Sequence, residues 1–180
     1  MPQTRVRVFA GWQAGVLIAS SLACVLTCAA ADESLASVAD SQNRGEMSTQ
    51  MLEAHNRIRR SRGVEPLAWS DALAAYAKPW ADQLAAEGRL YHHPNPKFGE
   101  NLYMTSGGEA SPDKVVAAWA SEEKDYDYKP NSCRSRCGHY TQIVWRDSKQ
   151  VGCAAGQSGK VQVWVCEYNP PGNVIGERPY

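Results

Sequence analysis

The sequence predicts an α+β domain on three observations. Helical apolar periodicity governs the chain from about Ser48 to Lys124. β-type runs rich in branched and aromatic residues govern it from Tyr140 to Cys166. Of six cysteines, Cys24 and Cys28 fall in the N-terminal stretch, and the other four, Cys133, Cys137, Cys153 and Cys166, lie in the last third of the chain. Helices followed by hairpins, rather than strict alternation of the two, argue for segregated layers.

The N-terminus reads as a secretory signal over residues 1–31. Arg5 and Arg7 form a short basic region, Val8 to Leu26 is mostly small and apolar, and Ala29-Ala30-Ala31 supplies small residues for cleavage. Gln13, Ser20 and Ser21 dilute the apolar run and argue against a retained membrane anchor. Thr27 argues against lipid attachment at Cys28. Cleavage after Ala31 takes 31 residues from 180 and leaves 149, enough for one domain with a real core. It also removes Arg5 and Arg7 from 19 basic residues, leaving 17 against 19 acidic ones. A net charge near −2 gives no electrostatic case for nucleic acid or an anionic membrane surface. The expected product is a secreted, extracellular monomer without stable membrane insertion.

Residues 32–46 are polar and aperiodic and are expected to form a disordered leader, with the folded domain spanning 47–180. The first helix is predicted from about Ser48 to Arg62. Met47, Met51, Leu52 and Ile58 mark its inner face, with Arg57, Arg59, Arg60 and Arg62 solvated. Gly63 follows as a C-terminal stop. After an extended connector anchored by Leu67 and Trp69, Ser70 caps a second helix that runs to about Glu87 and ends at Gly88. Its buried stripe is Leu73, Ala77, Trp80 and Leu84, and Pro79 is expected to kink or split it. His92, His93, Pro94 and Pro96 fall in a loop, and Phe98 to Tyr103 forms a short apolar segment carrying Glu100. Ser111-Pro112 opens a third helix through Val115, Val116 and Trp119 to about Lys124. Glu122 and Glu123 both fall on or beside its apolar face, and periodicity leaves open which is inside.

Tyr140 to Trp145 reads as a strand, with His139 at its mouth. Val151 to Ala155 and Val161 to Cys166 read as a hairpin around Gly156 to Gly159. A turn centred on Ser158-Gly159 sets Cys153 opposite Trp164 and one diagonal step from Cys166, on the same face. Cys153–Cys166 is therefore the expected disulfide, with Cys133–Cys137 as a small local loop.

His55-Asn56 with Arg59, Gly99-Glu100-Asn101-Leu102, Trp119-Ala120-Ser121-Glu122, Gly138-His139-Tyr140-Thr141-Gln142-Ile143-Val144-Trp145 and Cys166-Glu167-Tyr168-Asn169-Pro170-Pro171-Gly172-Asn173 follow one another in this order. From about Met47 to Tyr180 the chain thereby resembles the CAP superfamily: cysteine-rich secretory proteins, antigen-five venom allergens and plant pathogenesis-related proteins of the first class. The resemblance implies a three-layer α-β-α sandwich with a small, mostly antiparallel sheet. It also implies a cleft of two histidines and two glutamates, which map to His92, Glu100, Glu122 and His139, with His93 the alternative to His92. His55, Asn56 and Arg59 are read as structural. The chain departs from the resemblance in two ways: a cysteine pair found in the plant proteins is missing, and Glu167 stands where Asn or a similar polar residue is usual.

Two imidazoles, His92 and His139, are the expected ligands if a divalent cation, zinc foremost, is weakly bound, with open positions for water. The carboxylates would orient that water in a metal-dependent hydrolase. Two histidines are one short of the usual catalytic zinc set, there is no His-Glu-x-x-His motif, and all four cysteines of the mature chain are assigned to disulfides. The favoured reading is therefore a non-enzymatic binding or effector module acting on an extracellular ligand. The resemblance adds carriage of sterols or other lipids, with Tyr103-Met104 through Gly107-Gly108 as the candidate loop.

Overall fold

The computed structural model describes residues 22–180, so most of the expected signal segment lies outside the described residues. The chain forms two units, residues 1–41 and 42–180. Of the first, the description comprises helical backbone from Leu22 and the exposed Val38 and Ala39. No helix among the described residues is long and apolar enough to cross a membrane.

Helix α1 is Leu22–Ser61, so the leader expected to be disordered is helical. Its composition explains this: Leu35, Ala36, Ala39, Gln42 and Arg44 are good helix formers, and no proline interrupts them. From Met47 onward the helix packs on the core through Met51 and Ala54, with Leu52 and Ile58 partly buried beside them. Arg59, expected in solvent, is fully buried. It donates to the carbonyls of Glu65 at 2.6 Å, Ile143 at 2.9 Å, Trp145 at 2.8 Å and Ser148 at 3.0 Å. Four carbonyls, of which only that of Trp145 has another donor (the Ser148 N–H, at 3.2 Å), repay the desolvation of one guanidinium.

The remaining elements are β1 (Ala68–Trp69), α2 (Asp71–Glu87), β2 (Gly99–Thr105), α3 (Pro112–Ala120), a 3₁₀ turn (Ser121–Asp125), β3 (Tyr126–Asp127), β4 (Ser132–Cys133), α4 (Gly138–Ile143), β5 (Gln150–Ser158) and β6 (Val161–Asn169). In α2 the Ser70 side chain accepts from the Leu73 N–H, and Gly88 ends the helix at φ 61°, a conformation that costs glycine nothing. The helix runs on unbroken past Pro79, and its buried face gains Ala81 and Ala85 beside the predicted stripe. Packing against the sheet overrides the local cost of the proline.

The main sheet has the order β1-β5-β6-β2, with β1–β5 parallel and the other pairs antiparallel. One face carries Val151, Cys153, Trp164, Cys166 and Tyr168 against α1, α3 and α4. The other carries Leu102, Ala154, Val163 and Val165 against Ala77, Trp80, Ala81, Leu84 and Ala85 of α2. The architecture is an α-β-α sandwich with a small, mostly antiparallel sheet. Gly152 and Gly156 let α2 lie close, since a Cβ on Gly152 would sit 2.3 Å from the Ala74 backbone nitrogen.

Two details of the second half depart from the sequence prediction. Tyr140 to Trp145 is not a strand: residues 138–143 form α4. All six residues from Tyr140 to Trp145 are buried, so the run has no exposed alternate positions. The Thr141 hydroxyl donates to the Cys137 carbonyl four residues back, and Arg59 takes the Ile143 carbonyl beyond the last turn. A short apolar run does not separate buried strand from buried helix, and here tertiary partners decide. The hairpin turn is also one residue later than expected, at Gly159-Lys160, which shifts each cross-strand partner by two. Cys153 therefore faces Cys166 directly. A shift of two preserves the face, so the Cys153–Cys166 disulfide forms, as does Cys133–Cys137.

Candidate functional site

The start of β2 packs on α4. Gly99 allows this approach, because a Cβ there would lie 2.2 Å from the Gln142 side-chain oxygen. Asn101, next to Glu100, donates to the His139 carbonyl at 3.1 Å and to the Tyr168 hydroxyl at 3.1 Å. That hydroxyl in turn lies 2.7 Å from His55 Nε2, while His55 Nδ1 lies 2.8 Å from the Met51 carbonyl. His55 is completely buried, and burial lowers its pKa to about 4, so it is neutral and structural.

Around this contact stand two histidine–glutamate pairs. In the first, α3 leads into the 3₁₀ turn that carries Glu122. One oxygen of Glu122 lies 2.8 Å from His139 Nδ1, and the other accepts the His139 backbone N–H at 2.9 Å. Trp119 stacks on the imidazole with ring centroids 6.1 Å apart. Glu123, the other candidate left open by periodicity, points outward and pairs with Arg62.

In the second pair, the loop between α2 and β2 brings His92 Nδ1 to 2.6 Å from Glu100 Oε1. The same oxygen accepts the His93 backbone N–H at 3.1 Å. The His93 ring lies instead against Tyr76 and Trp80. The Glu100 hydrogen bond raises the pKa of His92 above the ordinary histidine value. The Glu100 side chain is 4% exposed and that of His92 is 65% exposed.

An ionised carboxylate only accepts hydrogen bonds, so each Nδ1 carries a hydrogen and each neutral ring keeps its lone pair on Nε2. No described residue hydrogen-bonds to either Nε2. Among the described residues no three His, Cys, Asp or Glu side chains are grouped closely enough to hold a metal ion.

Two polar groups of the site lie outside the four residues taken from the resemblance. Asn101 ties one pair to the other, and its place beside Glu100 is the one sequence signal for it. Glu167 faces Glu100 across β2–β6, and strand alternation together with its departure from the usual residue could have marked it.

A groove of about 250 Å³ lies at the start of α2, lined by Leu73, Tyr76, Phe98 and Lys97 among others. It is separate from the Tyr103–Gly108 loop singled out in the sequence.

Residues 52–168 match the model of the cysteine-rich secretory protein family, CAP. The chain is 48% identical over 132 residues to pathogenesis-related protein 1C of Nicotiana tabacum, covering 72% of this chain and 78% of the relative. It is 43% identical over 130 residues to pathogenesis-related protein 1 of Arabidopsis thaliana, covering 72% and 80%. Among solved structures, the Schistosoma mansoni venom allergen-like protein 4 superposes with a TM-score of 0.61 at 27% identity, over 75% of this chain and 94% of that one. The order of motifs, the sandwich and these matches agree: the chain belongs to the CAP family of cysteine-rich secretory proteins.

Proposed function

We propose that the protein is a secreted, non-enzymatic binding module that presents the Nε2 atoms of His92 and His139 to an extracellular ligand. The observation that carries this reading is the engagement of both Nδ1 atoms by glutamates. A carboxylate behind an imidazole fixes its tautomer and raises its basicity, the arrangement that supports metal-ligating histidines. A divalent cation, zinc foremost, is the simplest ligand for such a pair, and with two protein ligands its binding is weak. Such an ion would supply a Lewis-acidic centre with exchangeable water. Glu100 and Glu122 would hold the rings rather than the ion.

The non-enzymatic reading takes Glu100 and Glu122 as supports of the rings, since each holds its histidine by a hydrogen bond. All four cysteines of the domain are in disulfides. Extracellular action in plant-type defence is in keeping with the pathogenesis-related relatives.

Calorimetric titration of zinc into protein purified from culture medium tests the reading. Weak one-to-one binding is expected, lost in both His92→Ala and His139→Ala. Absence of heat in the parent protein would remove the cation, and mass spectrometry showing an uncleaved precursor held in the cell membrane would overturn secretion.

A further inference from the structure

Three buried side-chain polar atoms among the described residues have no hydrogen-bond partner: Trp80 Nε1, Glu100 Oε2 and Glu167 Oε1. The last two belong to residues directly opposite each other on neighbouring strands. Their alternation with Leu102 and Val165 puts both side chains on the face covered by α2. Directly opposed residues have Cβ atoms about 4.5–5.5 Å apart, well within reach of two glutamate side chains. Two ionised carboxylates in that position, one of them only 2% exposed, would repel each other with no cation between them.

We infer that Glu167 is a neutral carboxylic acid that donates its proton to Glu100 Oε2, and so acts as the positioning residue for the His92–Glu100 pair. One hydrogen bond then satisfies both orphaned oxygens. Glu100 keeps its single charge and uses Oε1 for His92 and for the His93 N–H, while Oε2 is held from behind. Glu167 stands where an amide-type residue is usual, and a protonated carboxyl replaces the donor that an ionised one would lack.

The groups facing Glu167 favour the neutral form. Glu100 on β2 is acidic, Gly152 opposite it on β5 has no side chain, and Tyr76 on α2 is a neutral phenol. The pKa of Glu167 is accordingly raised to about 8, first by burial and then by Glu100. This inference rests on the sheet register and the orphaned atoms, and holds whatever the cleft binds.

The direct test is carbon-13 NMR of the labelled protein, following side-chain carboxyl shifts with pH, with Glu167→Gln assigning the resonance. Glu167 is expected to stay protonated at pH 6 and to titrate near 8. An ionised Glu167 at pH 6 overturns the inference. Thermal unfolding gives an independent readout. A raised folded pKa contributes stability that is complete below the unfolded value of 4.5 and is lost as pH rises through about 8. The Tm advantage of Glu167→Gln over the parent should therefore widen between those limits and then level off. A gap that does not change with pH overturns the inference as well. The His93 amide resonance, which reports on Glu100 Oε1, should keep its position in Glu167→Gln and move in Glu167→Ala.

Discussion

The two histidine–glutamate pairs contain the same chemical groups but are held in different ways. At His139, Glu122 spreads its two oxygens over the ring and the backbone N–H of a single residue, and Trp119 covers the imidazole. At His92, one oxygen of Glu100 serves two consecutive residues of an exposed loop. The side chain of Glu100 is 4% exposed and that of Glu122 16%, whereas His92 is 65% exposed and His139 28%. One imidazole is part of the scaffold, while the other is tethered to it.

The largest expected effect comes from removing what supports the fixed side. Arg59→Met removes four hydrogen bonds to main-chain carbonyls, three of them buried, and urea denaturation should show a loss of about 3–5 kcal/mol. His139 resonances should broaden more than those of His92, because Arg59 holds the chain that follows α4. Equal broadening would erase the contrast.

The disulfides come next. Loop-closure entropy gives about 3 kcal/mol for Cys153–Cys166 and about 2 kcal/mol for the shorter Cys133–Cys137 loop. Double alanine variants measured by denaturation should keep that order. Only the Cys133/Cys137 variant should loosen His139, since Cys137 directly precedes α4.

Smaller effects separate the histidines themselves. His139→Ala should cost about 1–2 kcal/mol, whereas His92→Ala, in an exposed loop, should cost under about 1 kcal/mol. The effect of His92→Ala should also depend on pH. Because Glu100 raises the pKa of His92, the pair's contribution is complete below the unfolded value of 6.5 and fades as pH rises through the higher folded value. The deficit of His92→Ala should shrink correspondingly above pH 6.5. A deficit that grows with pH would contradict the assigned hydrogen bond.

The sequence was most legible where local chemistry and tertiary packing agree. In α2, Ser70, the apolar stripe and Gly88 mark start, face and end without help from the rest of the fold. Legibility failed where distant partners decide. Tyr140 to Trp145 has strand composition, but Arg59 and the Cys137 carbonyl fold it as a helix. Arg59 itself looked like one of several wet arginines, because its four acceptors lie on two other parts of the chain. The hairpin turn was misplaced by one residue, an error that moved each partner by two and spared the face. Of the site, the four cleft residues were named through family resemblance; Asn101 and Glu167 stand in the same motifs, but the partners that give them a role are brought together only by the sheet register and the packing of the layers.

The central claim is that two differently held imidazoles offer their Nε2 atoms to one ligand. Nitrogen-15 NMR of the histidine rings during a zinc titration tests it most directly. Before zinc, the neutral rings of His92 and His139 should both carry hydrogen on Nδ1. On addition, both Nε2 resonances should shift together along one saturation curve. A hydrogen on Nε2 in either neutral ring, or shifts at only one histidine, would contradict the account.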